Sequence, residues 1–277
     1  MQKIALIYDF DKTLCTKDMQ EYGFIPKINM NSKEFWDNVK KLTDVEKMDS
    51  VLSYMYEMMN KAKEKNIKIT RSDFNELGKE IEYFKGVDTW FDRINNYCLN
   101  NSIDVEHYII SSGVKEIIEG TSIAKYFKKI YACEFMYDNL GNIIWPKLAI
   151  NYTEKTQFLF RINKGVLNID SKSSEKLNEF TPENKRIIPF KNMIYIGDGI
   201  TDVPCMKLVN VNGGSSIVVY DDDKNRKSAE DILKNNRANF MTKSDYSEGS
   251  DIENIVKLII DKLRIVYELE KYSEKFK

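Results

Sequence analysis

The sequence predicts an α/β fold: a doubly wound parallel sheet interrupted by a mainly helical inserted domain. Three observations lead there. The apolar run Ile4-Ala5-Leu6-Ile7-Tyr8 breaks off into Asp9-Phe10-Asp11-Lys12-Thr13, and a β-branched and aromatic run without alternation marks a strand buried on both faces. A second such run, Met193-Ile194-Tyr195-Ile196, breaks off into Gly197-Asp198-Gly199-Ile200-Thr201-Asp202. Between Thr13 and the next buried strand, Val105 to Ile110, about ninety residues intervene, far more than one crossover helix needs.

The insert has a helical pattern. Thr43-Asp44-Val45-Glu46 reads as a capping box opening a helix, with Met48, Leu52, Met55, Met59 and Ala62 at intervals of three and four. Ser72 is the expected cap of a helix reaching Ile81, and Asp88 of one reaching about Leu99. These bounds give a core of residues 1–15 and 102–277 and an insert of residues 16–101.

Beyond the insert, the strand ending in Ile109-Ile110 runs into Ser111-Ser112-Gly113, with a helix expected from near Val114. Amides at a helix start, beside a hydroxyl, suit an anionic oxygen. Ile130 to Cys133 is a further strand, and Asp138-Asn139-Leu140-Gly141-Asn142 is a hairpin turn leading to Trp145. Lys155 opens a helix with Phe158, Leu159 and Ile162 on its apolar side. The polar stretch from Asn163 to Pro189 holds short helices around Ser174 to Phe180 and after Thr181-Pro182. Val209 to Val211 and Ile217 to Tyr220 read as strands. Ser250-Asp251-Ile252-Glu253 reads as the capping box of a long last helix, with Ile255, Ile259, Leu263 and Val266 covering a sheet face.

A chain of 277 residues can bury a substantial core. Its 42 basic and 43 acidic residues leave a net charge of -1, which excludes the basic excess of a nucleic-acid footprint. Cys15, Cys98, Cys133 and Cys205 are far apart and form no CxxC pair, so a reduced cytoplasmic protein is expected. The first apolar run is too short for a signal peptide, and no stretch approaches the roughly twenty apolar residues of a membrane span.

Open α/β sheets bind ligands at the carboxyl edge of their strands. Two strands that end in acidic loops bring Asp9, Asp11, Asp198 and Asp202 to that edge. A single pair of aspartates is as readily a capped turn. Four converging carboxylates need a hard cation, and oxygen ligands of this kind suit magnesium.

Asp9-Phe10-Asp11-Lys12-Thr13 resembles the first motif of haloacid dehalogenase-superfamily phosphatases, and Gly197-Asp198-Gly199-Ile200-Thr201-Asp202 resembles their fourth. Within the superfamily the chain is similar to the phosphoserine phosphatase-like group. The resemblance implies a Rossmann-like core under a cap domain, and a Mg2+-dependent hydrolase of small phosphorylated metabolites. Asp9 would be the nucleophile that forms an aspartyl-phosphate, and Asp11 the acid and base. Magnesium would sit on the Asp9 carboxylate, the Asp11 main-chain carbonyl and Asp198, with Asp202 beside it. Ser111 matches the second motif, and Lys155-Thr156 the third, so that Thr13, Ser111 and Lys155 would hold Asp11 or the phosphoryl oxygens, with Ser112 a further phosphate-binding candidate.

Specificity should reside in the cap. Asp18 stands where phosphoserine phosphatases carry an acidic residue that recognises the substrate's amino group. Arg71 and Arg93, the arginines of the insert, lack the surroundings of the arginine those enzymes use for the carboxylate. His107, the only histidine, is expected to be structural. Rival readings are a phosphotransferase or mutase using the same intermediate, a silent binding module, and a receiver-like domain phosphorylated on aspartate. The acid at Asp11 and the large insert speak against the last.

Overall fold

The structure, a computed structural model, describes residues 2–275, except for the side chains of Asp223, Lys224 and Glu274. Seven strands form one sheet: β1 (Gln2–Tyr8), β2 (Ile103–Val114), β3 (Phe127–Tyr137), β4 (Ile143–Leu148), β5 (Met193–Gly197), β6 (Ser215–Tyr220) and β7 (Phe240–Lys243). Their spatial order is β4-β3-β2-β1-β5-β6-β7. Only the β3–β4 pair is antiparallel. It is closed by the expected hairpin turn, where Asp138 N donates to Asn142 O at 2.9 Å and Gly141 takes φ 81°. Ile4 to Tyr8 are all shielded from solvent, as a central parallel strand covered on both faces requires. β1 pairs with β2 on one side and β5 on the other, so strand order reverses there. The crevice at their carboxyl ends is the topological switch point of the sheet.

The insert holds α1 (Phe24–Lys27), α2 (Ser32–Glu46), α3 (Ser50–Glu64) and α4 (Arg71–Leu77). It leaves and rejoins the core through two adjacent chain passes: Phe84 N donates to Leu14 O at 3.0 Å, and Thr16 N to Glu82 O at 3.1 Å. It rests on the core through the rings of Phe74 and Phe135, stacked 5.6 Å apart. α5 (Val87–Asn100), expected within the insert, packs on β2 and is the crossover helix from β1. We therefore place the far boundary of the insert near Glu82 rather than Asn101. The core is completed by α6 (Lys115–Glu119), α7 (Lys155–Lys164), α8 (Ser171–Asn178), α9 (Val203–Val211), α10 (Asp223–Lys234) and α11 (Asp251–Glu274). Among the described residues no helix is long and apolar enough to cross a membrane. The four cysteines are buried free thiols.

Several local expectations are corrected. Thr43 opens no helix: it lies in the last turn of α2, which ends at Lys47 with φ 55°. Asp49 caps α3 instead, its carboxylate accepting from Val51 N at 2.9 Å and Leu52 N at 3.0 Å. The cap of α4 is Thr70, in a reciprocal box with Asp73, rather than Ser72. Val209 to Val211 is not a strand but the end of α9, where proline in the first turn and one buried face of Cys205, Met206 and Val209 favour the helix. Ser250 precedes α11 without a side-chain cap. Glu253 reaches back to Gly249 N at 2.6 Å instead. Along α11, Ile259 and Leu263 are buried while Val266 is exposed.

Candidate active site

β1 ends one residue before Asp9, and β5 ends one residue before Asp198, so both carboxylates emerge at the switch point. The chain turns sharply after Asp11, with Lys12 at φ 56°. Carboxylate oxygens of Asp9, Asp198 and Asp202 lie within 4.8 Å of one another. Lys155, the first residue of α7, extends its ammonium between two of them, 3.0 Å from Asp9 Oδ2 and 2.8 Å from Asp202 Oδ1. Lys147 and Lys164 are held elsewhere, the first by Glu134 and the second by the carbonyls of Leu177 and Glu179.

Asp202 is fixed from several sides. The Tyr195 hydroxyl donates to Oδ1 at 2.8 Å, and Gly199 N to Oδ2 at 3.3 Å. A Cβ at position 197 would come within 2.5 Å of the Asp202 carboxylate, so Gly197 is required for this approach. Both Asp202 oxygens are thus engaged by the protein. Asp198 accepts only one long bond, from the Thr13 hydroxyl at 3.3 Å. Thr13 is itself held by the Tyr246 hydroxyl, which donates to its carbonyl at 2.9 Å.

The electrostatics follow from crowding. Burial, then the Asp202 charge, raise the Asp9 carboxyl above its ordinary value, against the pull of Lys155. Burial and the charges of Asp202 and Asp9 push Asp198 well up. Burial, Asp18 and Asp9 do the same to Asp11, although Met19 N donates to its Oδ1 at 2.9 Å. Burial alone would lower the Lys155 pKa, but Asp202 and Asp9 outweigh it and hold the ammonium charged. An all-oxygen cluster of mutually repelling carboxylates is the donor set of a hard cation. Asp198 is the least engaged of the three, since Asp9 Oδ1 accepts from Phe10 N at 2.7 Å and its Oδ2 faces Lys155, while both Asp202 oxygens are bonded as well.

Ser111 is buried, and its Oγ accepts from Gly113 N at 3.0 Å. β2 runs on to Val114 and α6 follows at Lys115, as expected, so Ser111-Ser112-Gly113 closes the strand just before a helix, and Val114 N is taken by Met19 Sδ at 3.0 Å. Ser112 offers its carbonyl to the Tyr54 hydroxyl at 2.6 Å. Asp18 pairs with Lys12 at 2.6 Å. His107 is buried between the Tyr8 hydroxyl and Asn95, bonded to none of the carboxylates among the described residues, and burial lowers its pKa to about 3.

A cavity of about 360 Å³ lies between Asp11 and the insert, lined among others by Asp18, Gln20, Trp36, Lys40, Tyr54 and Ser112. Neither Arg71 of the insert nor Arg93 of α5 lines it. Arg71 faces Glu116 and Glu134, and Arg93 pairs with Glu253 at 2.8 Å. A larger cavity of about 870 Å³, between α3 and β4, shares no residue with the carboxylate cluster.

The sequence reading missed Tyr195, Tyr246 and Gln20. A tyrosine inside the aliphatic run Met193-Ile194-Tyr195-Ile196 was the one local signal available.

The haloacid dehalogenase-like hydrolase family model matches residues 6–207, a span that contains Asp9, Lys155 and Asp198. The chain belongs to the haloacid dehalogenase-like hydrolases. It is 33% identical to an uncharacterized protein of Borreliella burgdorferi over 91% of this chain and 94% of that one. Among solved structures its fold is similar to a phospho-aspartyl intermediate analogue of a phosphoserine phosphatase (TM-score 0.55, 15% identity, 93% of this chain and 99% of that one). It is also similar to a haloacid dehalogenase family hydrolase of Salmonella enterica serovar Typhi (TM-score 0.53, 16% identity, 80% of this chain), of which it spans 64%. In this family setting the seven-stranded sheet is the Rossmann-like core, and the helical insert lies where a cap domain would.

Proposed function

We propose that the chain is a phosphomonoester hydrolase that works through an aspartyl-phosphate on Asp9. The observation that carries this reading is the buried Lys155 ammonium, 3.0 Å from Asp9 and 2.8 Å from Asp202, at the carboxyl edge of β1 and β5. Lys155 offsets the charge of the nucleophile and can contact a phosphoryl oxygen, as a desolvated ammonium does strongly. Asp202, itself held by the Tyr195 hydroxyl, keeps that ammonium in place. Magnesium, held by Asp9 and Asp198 with the Asp11 main-chain carbonyl, would let an anionic nucleophile approach an anionic substrate.

Asp9 attacks phosphorus and the bond to the ester oxygen breaks. Asp11, whose carboxyl is raised well above its ordinary value by burial, Asp18 and Asp9, gives its proton to the departing alkoxide. It then takes a proton from the water that cleaves the aspartyl-phosphate. Ser111, one strand away at the end of β2, would bind a phosphoryl oxygen. Ser112 and Asp18 line the space where the alcohol moiety would lie.

The purified chain is expected to release phosphate from a small aromatic phosphomonoester when magnesium is present, and Asp9→Asn to abolish that release. Full activity in Asp9→Asn, or in EDTA without added metal, contradicts the reading. Product analysis with added acceptor alcohols separates hydrolysis from phosphoryl transfer.

A further inference from the structure

We infer that Gln20 selects the leaving group, and that the alcohol released carries a hydrogen-bond donor, a hydroxyl or an amino group, beside an apolar stretch. The inference rests on the phosphoester reading above. Gln20 sits in the short turn Met19–Glu21 that follows the Asp11 loop, and it lines the cavity between Asp11 and the insert. The residue is 2% exposed, and its Oε1 is buried without a hydrogen-bond partner. Few buried polar atoms in folded proteins lack a partner, because one left without a donor loses its hydration uncompensated.

Several donors around the cavity are engaged elsewhere. The Trp36 indole N–H donates to Glu21 at 3.0 Å, and the Tyr54 hydroxyl donates to the Ser112 carbonyl at 2.6 Å. The Lys12 ammonium is on Asp18 at 2.6 Å, and the Thr43 hydroxyl donates to Ser53 at 2.9 Å. What Trp36, Val39, Val51 and Tyr54 leave for the cavity is apolar surface. A ligand with its phosphoryl end at Asp9 and Asp11 would bring its alcohol moiety against these hydrocarbon walls, the charged side chains of Asp18 and Lys40, and Gln20. A volume of about 360 Å³ suits a small molecule. With Arg71 and Arg93 both outside the lining, a carboxylate on that alcohol would meet no guanidinium.

A site built to hydrogen-bond a ligand donor rejects the analogue that lacks it. Calorimetric titration of the full chain with magnesium would compare 3-hydroxypropylphosphonate and 3-aminopropylphosphonate with butylphosphonate, which matches them in length. The wild-type chain is expected to bind the two donor compounds roughly 10- to 100-fold more tightly than the butyl compound. In Gln20→Met, which keeps the side-chain length and removes the acceptor, that ratio should fall to about one, and Gln20→Glu should retain it for the amino compound. A wild-type ratio near one overturns the inference without any variant, as does a ratio that survives in Gln20→Met. Turnover of the matching phosphate esters separates this claim from the one it rests on. Equal hydrolysis of the 3-hydroxypropyl and butyl esters removes the selectivity and leaves the hydrolase. Selective phosphonate binding with no ester hydrolysed removes the hydrolase and leaves the selectivity.

Discussion

Lys155 Nζ stands 2.8 Å from Asp202 Oδ1, and neither side chain is reached by solvent. Removing one member of such a pair strands the other charge in a low-dielectric site, at a cost of roughly 3–5 kcal/mol. Lys155→Met, which leaves both Asp202 and Asp9 without their cation, is therefore expected to lower unfolding free energy by about that amount in chemical denaturation, and turnover by roughly 10-fold or more through loss of the ammonium. The double variant Lys155→Met, Asp202→Asn should recover part of the stability and none of the turnover. Equal stability of the single variant and wild type would remove the pair from the account.

Gly113 faces Asp11 across the mouth of the site. A Cβ there would stand 2.9 Å from Asp11 Oδ2 and press on the Met19 side chain. Gly113→Ala should lower kcat roughly 10- to 100-fold by displacing the acid, since small misplacements of a reacting group are costly. Steady-state kinetics beside a melting curve would check it, and an unchanged kcat would show that Asp11 tolerates the shift.

His107 carries a pH signature independent of the carboxylates. Burial lowers its pKa to about 3, below the unfolded value of 6.5, so the unfolded chain binds the extra proton between these values. The stability contributed by neutral His107 is complete above pH 6.5 and is lost as pH falls toward 3, by on the order of a few kcal/mol. His107→Gln should flatten that part of a stability-against-pH curve measured by urea denaturation. A parallel curve in the variant would assign the acid sensitivity to other groups.

Arg71 stands over Glu116 and Glu134, with its guanidinium 5.0 Å from the centre of the Tyr137 ring. Because its side chain is 44% exposed, Arg71→Met should cost only about 1 kcal/mol of stability. KM for a small phosphate ester should stay as in the wild type. A marked rise in KM would bring Arg71 to the substrate after all.

The acidic loops after β1 and β5 were legible because each is local: a buried strand, then carboxylates within a few residues. Lys155 was legible as a helix start, and the structure places it on Asp9. What supports these groups was not, because it depends on contacts remote in sequence. Tyr246 reaches the carbonyl of Thr13 across 233 positions, and Thr13 reaches Asp198 across 185. Val209-Asn210-Val211 misled for the opposite reason. Its β-branched residues favour a strand in isolation, but burial of Val209 with Cys205 and Met206 decides for the helix. Thr43 and Ser250 show that a capping pattern names a competent residue, not the one that caps: Asp49 and Glu253 make the bonds.

The two chain passes at Leu14 and Phe84 lie side by side, hydrogen-bonded, just beyond the loop of Asp9 to Thr13. Everything between them enters and returns through a doorway two backbones wide. A different helical module could be spliced into that gap without disturbing the sheet, so whatever the insert contacts can change while the carboxylate cluster stays put.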